Sequence, residues 1–127
     1  SSAASDVYKR QKGGCMKEIG NGEQARIAKM LVVNRHLKEK TQTQCGRVLG
    51  VTFQQVQKQE TCLNRITADQ LFTLAKGHGY DMQMIYKGDP YQVLEQVKNK
   101  FIPKIRKTFQ KIDENVWKQR NYKVKKL

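Results

Sequence analysis

Residues 41–82 read TQTQCGRVLGVTFQQVQKQETCLNRITADQLFTLAKGHGYDM and carry the best local evidence for the fold. Three times within it a threonine is followed three residues later by a glutamine, at Thr41/Gln44, Thr52/Gln55 and Thr67/Gln70. Each pair fits a capping box, in which the threonine hydroxyl accepts a hydrogen bond from an unpaired backbone amide and the glutamine side chain accepts one from the threonine amide. The three pairs therefore predict three helix starts.

The first two of these helices are separated by a very short turn. We expect one helix over Gln42–Leu49, ended by Gly50, and the next over Phe53–Glu60. Gly50 can adopt the left-handed conformation that a sharp turn requires. Because so short a connection brings two helices together at a steep angle, we expect Gly46 at the point where they cross.

Two more helices flank this pair. Apolar residues at near-helical spacing, Ile27 and Leu31 among them, predict a helix over residues 24–38. The third capping box predicts a helix over residues 68–76, ended by Gly77 and Gly79.

A turn signal at residues 87–90 (KGDP) marks a predicted domain boundary. Beyond it, apolar residues at spacings of three and four predict an amphipathic helical arm: Val93, Leu94, Val97, Phe101, Ile105, Phe109, Ile112 and Val116. Pro103 either kinks one helix or begins a second. The stripe could form a homodimer through residues 91–117 or pack back onto its own core; the pattern fits both, and we expect the dimer.

The formal net charge of +14 favours a polyanionic partner. Residues 91–127 carry eleven basic and three acidic side chains, whereas residues 41–90 carry five and four. Most of the basic excess therefore lies in the arm, whose end at residues 118–126 could follow DNA phosphates or could simply be solvated.

The first residues are expected to lie outside the fold. Residues 1–11 (SSAASDVYKRQ) read, codon for codon, like a translated transposase adapter from a sequencing library, and we interpret them as an artefact. The native chain would then start upstream or at Met16. Residues 12–22 hold four glycines, so we expect a disordered lead-in over residues 1–23.

Several function classes find no support. No run of 18 apolar residues is present, which excludes a membrane-spanning helix. Cys15, Cys45 and Cys62 are odd in number and widely spaced, which favours reduced thiols in a cytosol. No paired carboxylates or phosphate-binding glycine loop are found, so we predict no enzyme, no metal and no cofactor. Cys45 is expected to be a packed thiol, and His36 a surface residue of the first helix.

The pattern of caps, turn and polar helix resembles the phage-repressor and Cro-like helix-turn-helix proteins, especially the subset whose recognition helix reads FQQVQK. The matching positions are Thr41, Gln42, Gly46, Leu49-Gly50-Val51, Thr52, Gln54 to Lys58 and Glu60. The resemblance implies an all-α fold with a five-helix lambda-repressor-like DNA-binding domain over residues 24–86, followed by a basic helical arm over residues 87–127. It also implies a cytoplasmic, nucleoid-associated transcriptional regulator, typically a repressor, of bacterial or phage origin.

The resemblance carries roles for single residues in binding double-stranded DNA. The predicted DNA-binding residues are Gln42, Thr52, Gln54, Gln55, Gln57, Lys58, Asn64 and Arg65. Gln42 would touch a phosphate, and Gln54, Gln55 and Lys58 would face base edges, with Gln57 at the margin. Glutamine matches the donor and acceptor of adenine, and lysine can donate to guanine.

Other implied residues support the recognition helix. Asn64 and Arg65 would grip the DNA backbone from the following loop, and Arg35 and Glu60 would pair beneath the helix. The sequence departs from the family pattern where Lys40 replaces an apolar residue, Cys62 a helix-ending glycine and His78 a leucine. These departures affect the packing expected around the recognition helix.

A protein-interaction module, antitoxin-like or polymerase-associated, is the alternative function. Such a module would use the helix-turn-helix as a scaffold and should expose apolar residues on the second motif helix. Phe53 is the only large apolar residue there, beside Gln54, Gln55, Gln57 and Lys58. The polar helix favours DNA.

Overall fold

Seven α-helices and no strand make up residues 21–126, which are the residues that the computed structural model describes, with side chains from 22 to 121. The helices are α1 (Asn21–Leu37), α2 (Gln42–Leu49), α3 (Phe53–Glu60), α4 (Ala68–His78), α5 (Met82–Lys87), α6 (Pro90–Gln96) and α7 (Ile102–Lys126). The fold of this part is all-α, as predicted, but seven helices are present where we expected five and an arm.

The predicted lead-in lies mostly outside the described residues, as do the adapter-like residues 1–11 and Cys15. Its last three residues, 21–23, belong to α1 instead. In the described part of the chain, no helix is long and apolar enough to cross a membrane.

The three predicted helix starts are confirmed, and two of the three capping boxes are complete. The Thr41 hydroxyl accepts from the Gln44 amide at 3.1 Å, and the Gln44 side chain accepts from the Thr41 amide at 2.8 Å. The same two bonds open α4 at Thr67. At α3, the Thr52 hydroxyl accepts from the Gln55 amide at 3.2 Å, but the described contacts do not include the reciprocal bond.

Glycines shape the turn between α2 and α3 as predicted. Gly50 is left-handed, with φ 73°, and ends α2. Gly46 is buried where the two helices meet, and a Cβ atom added there would lie 2.7 Å from the Val51 carbonyl oxygen. Only glycine lets the backbones approach this closely. Farther along, Gly79 ends α4 with φ 75°, whereas Gly77 lies inside that helix.

Helix α1 is buried on two sides, because it packs between the helix-turn-helix and the C-terminal helices. On one side lies the motif core: Met30, Leu31, Cys45, Val56, Leu74, Tyr80 and Ile85. On the other side lies the α7 core: Ala25, Ala28, Val32, Val33, Leu94, Ile105, Phe109, Ile112 and Val116. A helix that is apolar on both faces is stable only when both are covered.

The apolar stripe of the predicted arm packs onto α1 of the same chain. Ile105, Phe109, Ile112 and Val116 are at most 2% exposed. The predicted dimer through residues 91–117 would need these side chains, so the structure decides for packing onto the chain's own core. Pro103 is the second residue of α7 and does not kink it, because a proline in the first turn removes no helical hydrogen bond.

A buried ion pair fastens α7 to α1. Lys29 Nζ lies 2.6 Å from Asp113 Oδ1, and the two side chains are only 3% and 6% exposed. Tyr91 adds a hydrogen bond to the other Asp113 oxygen at 3.4 Å and packs edge-on against Phe109. Charges this deeply buried are tolerated when they are paired and hydrogen-bonded.

Candidate nucleic-acid interface

Helix α3 presents a polar outer face. Gln54, Gln57 and Lys58 are exposed and Gln55 is half-buried, whereas Val56 is buried in the motif core. Gln54 and Lys58 are four residues apart and therefore lie on one face of the helix, a turn from each other. The structure thus brings the predicted base-contacting residues together on one exposed surface.

The inner side of α3 is held by hydrogen bonds as well as by Val56. The Gln59 side-chain amide donates to Gln70 Oε1 at 2.9 Å, and the same oxygen accepts from the Thr67 backbone amide. Gln59 is only 3% exposed and does not share the exposed face of α3. Its partner, Gln70, belongs to the capping box of α4 and lies near Gln59 only in the folded chain.

Arg35 and Glu60 form the predicted ion pair beneath α3. Arg35 Nε lies 2.7 Å from Glu60 Oε2, and Arg35 Nη2 lies 3.0 Å from Oε1. Burial opposes the charge on Arg35, but the hydrogen bond and the negative charge of Glu60 outweigh it and raise the pKa of the guanidinium. The two-bond geometry fixes the last turn of α3 on α1.

Gln42 faces inward rather than outward. Its amide donates to Glu60 Oε1 at 3.1 Å and completes the hydrogen bonding of that carboxylate. The phosphate contact implied for the Gln42 side chain would require this bond to open. Glu60 is thus held by two partners, one from α1 and one from α2.

Helix α7 holds the turn that follows α3. Asn115 Nδ2 donates to the Thr61 carbonyl oxygen at 2.8 Å, and Gln119 Nε2 donates to the Cys62 carbonyl oxygen at 3.0 Å. Cys62 has a positive φ of 62°, a conformation that glycine adopts more readily. Sequence reasoning missed Asn115 and Gln119 because each acts 54 or more residues from its partner.

The other predicted DNA-binding residues, Thr52, Asn64 and Arg65, lie at the two ends of α3. Thr52 is exposed at its start, Arg65 is exposed in the following loop, and Asn64 is half-buried there. The Asn64 amide donates to the Lys58 carbonyl oxygen at 3.2 Å, which anchors the loop to the helix. These residues therefore border the polar face of α3.

Cys45 is the packed thiol that the sequence predicts. It is 1% exposed, and its Sγ lies 3.2 Å from the Tyr80 hydroxyl and 3.7 Å from His78 Nδ1. Burial raises the pKa of the Cys45 thiol. His78 thus contacts Cys45 at a position where the sequence departs from the phage-repressor pattern.

A pocket of about 570 Å³, here called the α2–α7 pocket, opens beside α3. It lies between the end of α1, the start of α2, the end of α3 and the start of α7, and its walls include Lys40, Gln42, Gln57, Lys100, Phe101 and Lys104. His36 is buried in its wall against the Phe101 ring, so our expectation of a surface histidine is wrong. Burial, Arg35 and Lys104 lower the pKa of His36 to about 4, which leaves it neutral at pH 7.

The chain is 38% identical over 56 residues to a protein of Sinorhizobium fredii described as an uncharacterized HTH-type transcriptional regulator, y4wC. The match covers 44% of this chain and 39% of that relative, so the chain spans well under half of its length. No family model matches the chain, and no solved structure matches it. The similarity and the all-helical structure together support a helix-turn-helix family for the matched part.

Proposed function

We propose that this protein is a sequence-specific DNA-binding transcriptional regulator, a repressor, that inserts α3 into the major groove. The observation that carries the proposal is the polar row of Gln54, Gln55 and Lys58 on the outer face of a helix that is held by its inner side. Sites that hydrogen-bond to base edges need side chains on a rigid element, because a mobile helix would lose the register with the bases. The similarity to a helix-turn-helix regulator supports the same function.

The side chains on the outer face of α3 can form hydrogen bonds with DNA bases. A glutamine amide can donate to and accept from the major-groove edge of adenine, and lysine can donate to guanine O6 and N7. The Gln55 side-chain amide is left for such a contact, because the described contacts at Thr52 include only the bond from the Gln55 backbone amide to the Thr52 hydroxyl. Gln57 lies at the margin, on the wall of the α2–α7 pocket.

Backbone contacts would come from the edges of α3. In the proposed complex, Thr52, Asn64 and Arg65 bind phosphates and position the helix without reading sequence. The Gln42 side-chain amide is engaged with Glu60. Gln42 would therefore contact a phosphate with its main chain at the start of α2. Residues 24–86 then form the DNA-binding domain, and residues 87–127 support it from behind through α7.

Substitution of the base-contacting residues should weaken binding in a sequence-dependent manner. We expect Gln54→Ala and Lys58→Ala each to cost about 1–3 kcal/mol on a preferred site and clearly less on random DNA. Fluorescence anisotropy with both duplexes measures the two losses. Lys76→Ala, an exposed lysine on α4, is the matched control and should change neither value by more than about 0.5 kcal/mol.

Equal losses on the preferred and the random duplex would contradict base reading. Gln54 and Lys58 would then contact only phosphates, and the specificity would have to arise elsewhere.

A further inference from the structure

Three lysines surround the α2–α7 pocket, and none of them has an ion-pair partner among the described residues. Lys40 precedes α2, and Lys100 and Lys104 lie at the start of α7. Of the two acidic residues in the same walls, Glu60 is engaged by its ion pair, and Glu39 is exposed. The ion pairs found in the described part of the chain include none of the three lysines. With Arg35 included, the walls hold four basic and two acidic side chains, so the pocket carries a net charge of +2.

The position of the pocket relative to α3 indicates what meets this charge. Gln57 belongs both to the outer face of α3 and to the pocket wall, and Gln42, the first residue of α2, lines the pocket as well. When the second helix of such a motif lies in the major groove, the first helix crosses the sugar–phosphate backbone. A DNA strand that passes the start of α2 would consequently run across the mouth of the pocket.

We infer that Lys40, Lys100 and Lys104 bind the phosphates of the DNA strand that passes the start of α2. The inference rests on the proposed function and extends it, because it gives α7 a direct part in DNA binding. Lysine binds phosphate as a compact positive charge and needs no fixed two-bond geometry. The aromatic ring of Phe101, 5.2 Å from Lys100 Nζ, keeps that ammonium group at the pocket.

Phosphate contacts release counterions and carry no base information, which separates these lysines from Gln54 and Lys58. The experiment measures the dissociation constant of the full chain for a labelled random-sequence duplex about three helical turns long over a series of salt concentrations. The test variant is Lys40→Gln/Lys100→Gln/Lys104→Gln. The control is Lys76→Gln/Lys87→Gln/Lys107→Gln, which removes the same charge from exposed lysines outside the pocket walls.

The slope of log affinity against log salt should become shallower by about 0.9 for each lost contact, hence by up to about 2.7 in the test variant. The control should keep most of the parent slope, and Lys40→Arg/Lys100→Arg/Lys104→Arg should restore it. Thermal melting of each variant establishes that it is folded at the temperature of the binding measurement.

Three results would overturn the inference in distinguishable ways. A parent protein that binds no duplex contradicts the proposed function, and the inference falls with it. If the parent binds DNA and its slope of log affinity against log salt equals that of the test variant, the inference is contradicted and the proposed function is not. In the third result, the parent and the test variant have the same salt slope for DNA, but inorganic phosphate at constant ionic strength raises the melting temperature of the parent. The pocket would then bind a free anion and not DNA.

Discussion

Glu60→Ala is expected to destabilise the folded chain by about 3–5 kcal/mol. The substitution leaves Arg35, whose side chain is 12% exposed, as a buried charge without its two-bond partner. It also removes the acceptor of the Gln42 amide. Urea unfolding followed by circular dichroism measures the loss, which should shift the midpoint at an unchanged slope.

A double substitution separates the stranded charge from the value of the pair. Arg35→Met/Glu60→Leu replaces both charges with apolar groups and should recover much of the stability that Glu60→Ala loses. If Glu60→Ala unfolded at the same urea concentration as the parent protein, the Arg35–Glu60 pair would not stabilise the position of α3. The pair would then have to be dropped as a support of this helix.

Phe109→Ala should lower the free energy of unfolding by about 3–5 kcal/mol, because it opens a cavity in the α7 core. Phe109 is 1% exposed and packs against Tyr91 with ring centroids 5.2 Å apart. The same denaturation measurement applies. If residues 87–127 formed a separate arm that contributed little to the fold, the loss of unfolding free energy would be small.

Phe101→Ala, one residue before the start of α7, is the matched control. Phe101 is 40% exposed, so its truncation should cost about 1 kcal/mol or less. Equal stabilities for the Phe101 and Phe109 variants would contradict the packing of α7 on α1.

Local features of the fold could be predicted from the sequence because their causes are local. The threonine–glutamine pairs fix three helix starts, and Gly50 and Gly79 end two helices through a positive φ. Gly46 was predictable too, since a turn of so few residues leaves no room for a Cβ atom at the crossing.

Long-range choices could not be predicted in the same way. The stripe from Ile105 to Val116 fits a dimer or the chain's own core equally well, because periodicity gives the apolar face but not its partner. Gln42 and Gln59 look like solvent-exposed amides in sequence, yet Glu60 and Gln70 take up their hydrogen bonds. Of the candidate site, the outer face of α3 was accessible to sequence reasoning and the α2–α7 pocket was not.

Selection of bound fragments from a pool of random DNA tests the central claim most directly. The parent protein should enrich a short recurring motif, and Gln54→Ala/Lys58→Ala should lose or change that motif while still binding DNA. If the protein acts as a pair, two copies of the motif should lie about 34 Å apart, one helical turn. A pool that stays random after repeated selection, or a motif unaltered by the double substitution, would contradict sequence reading by α3.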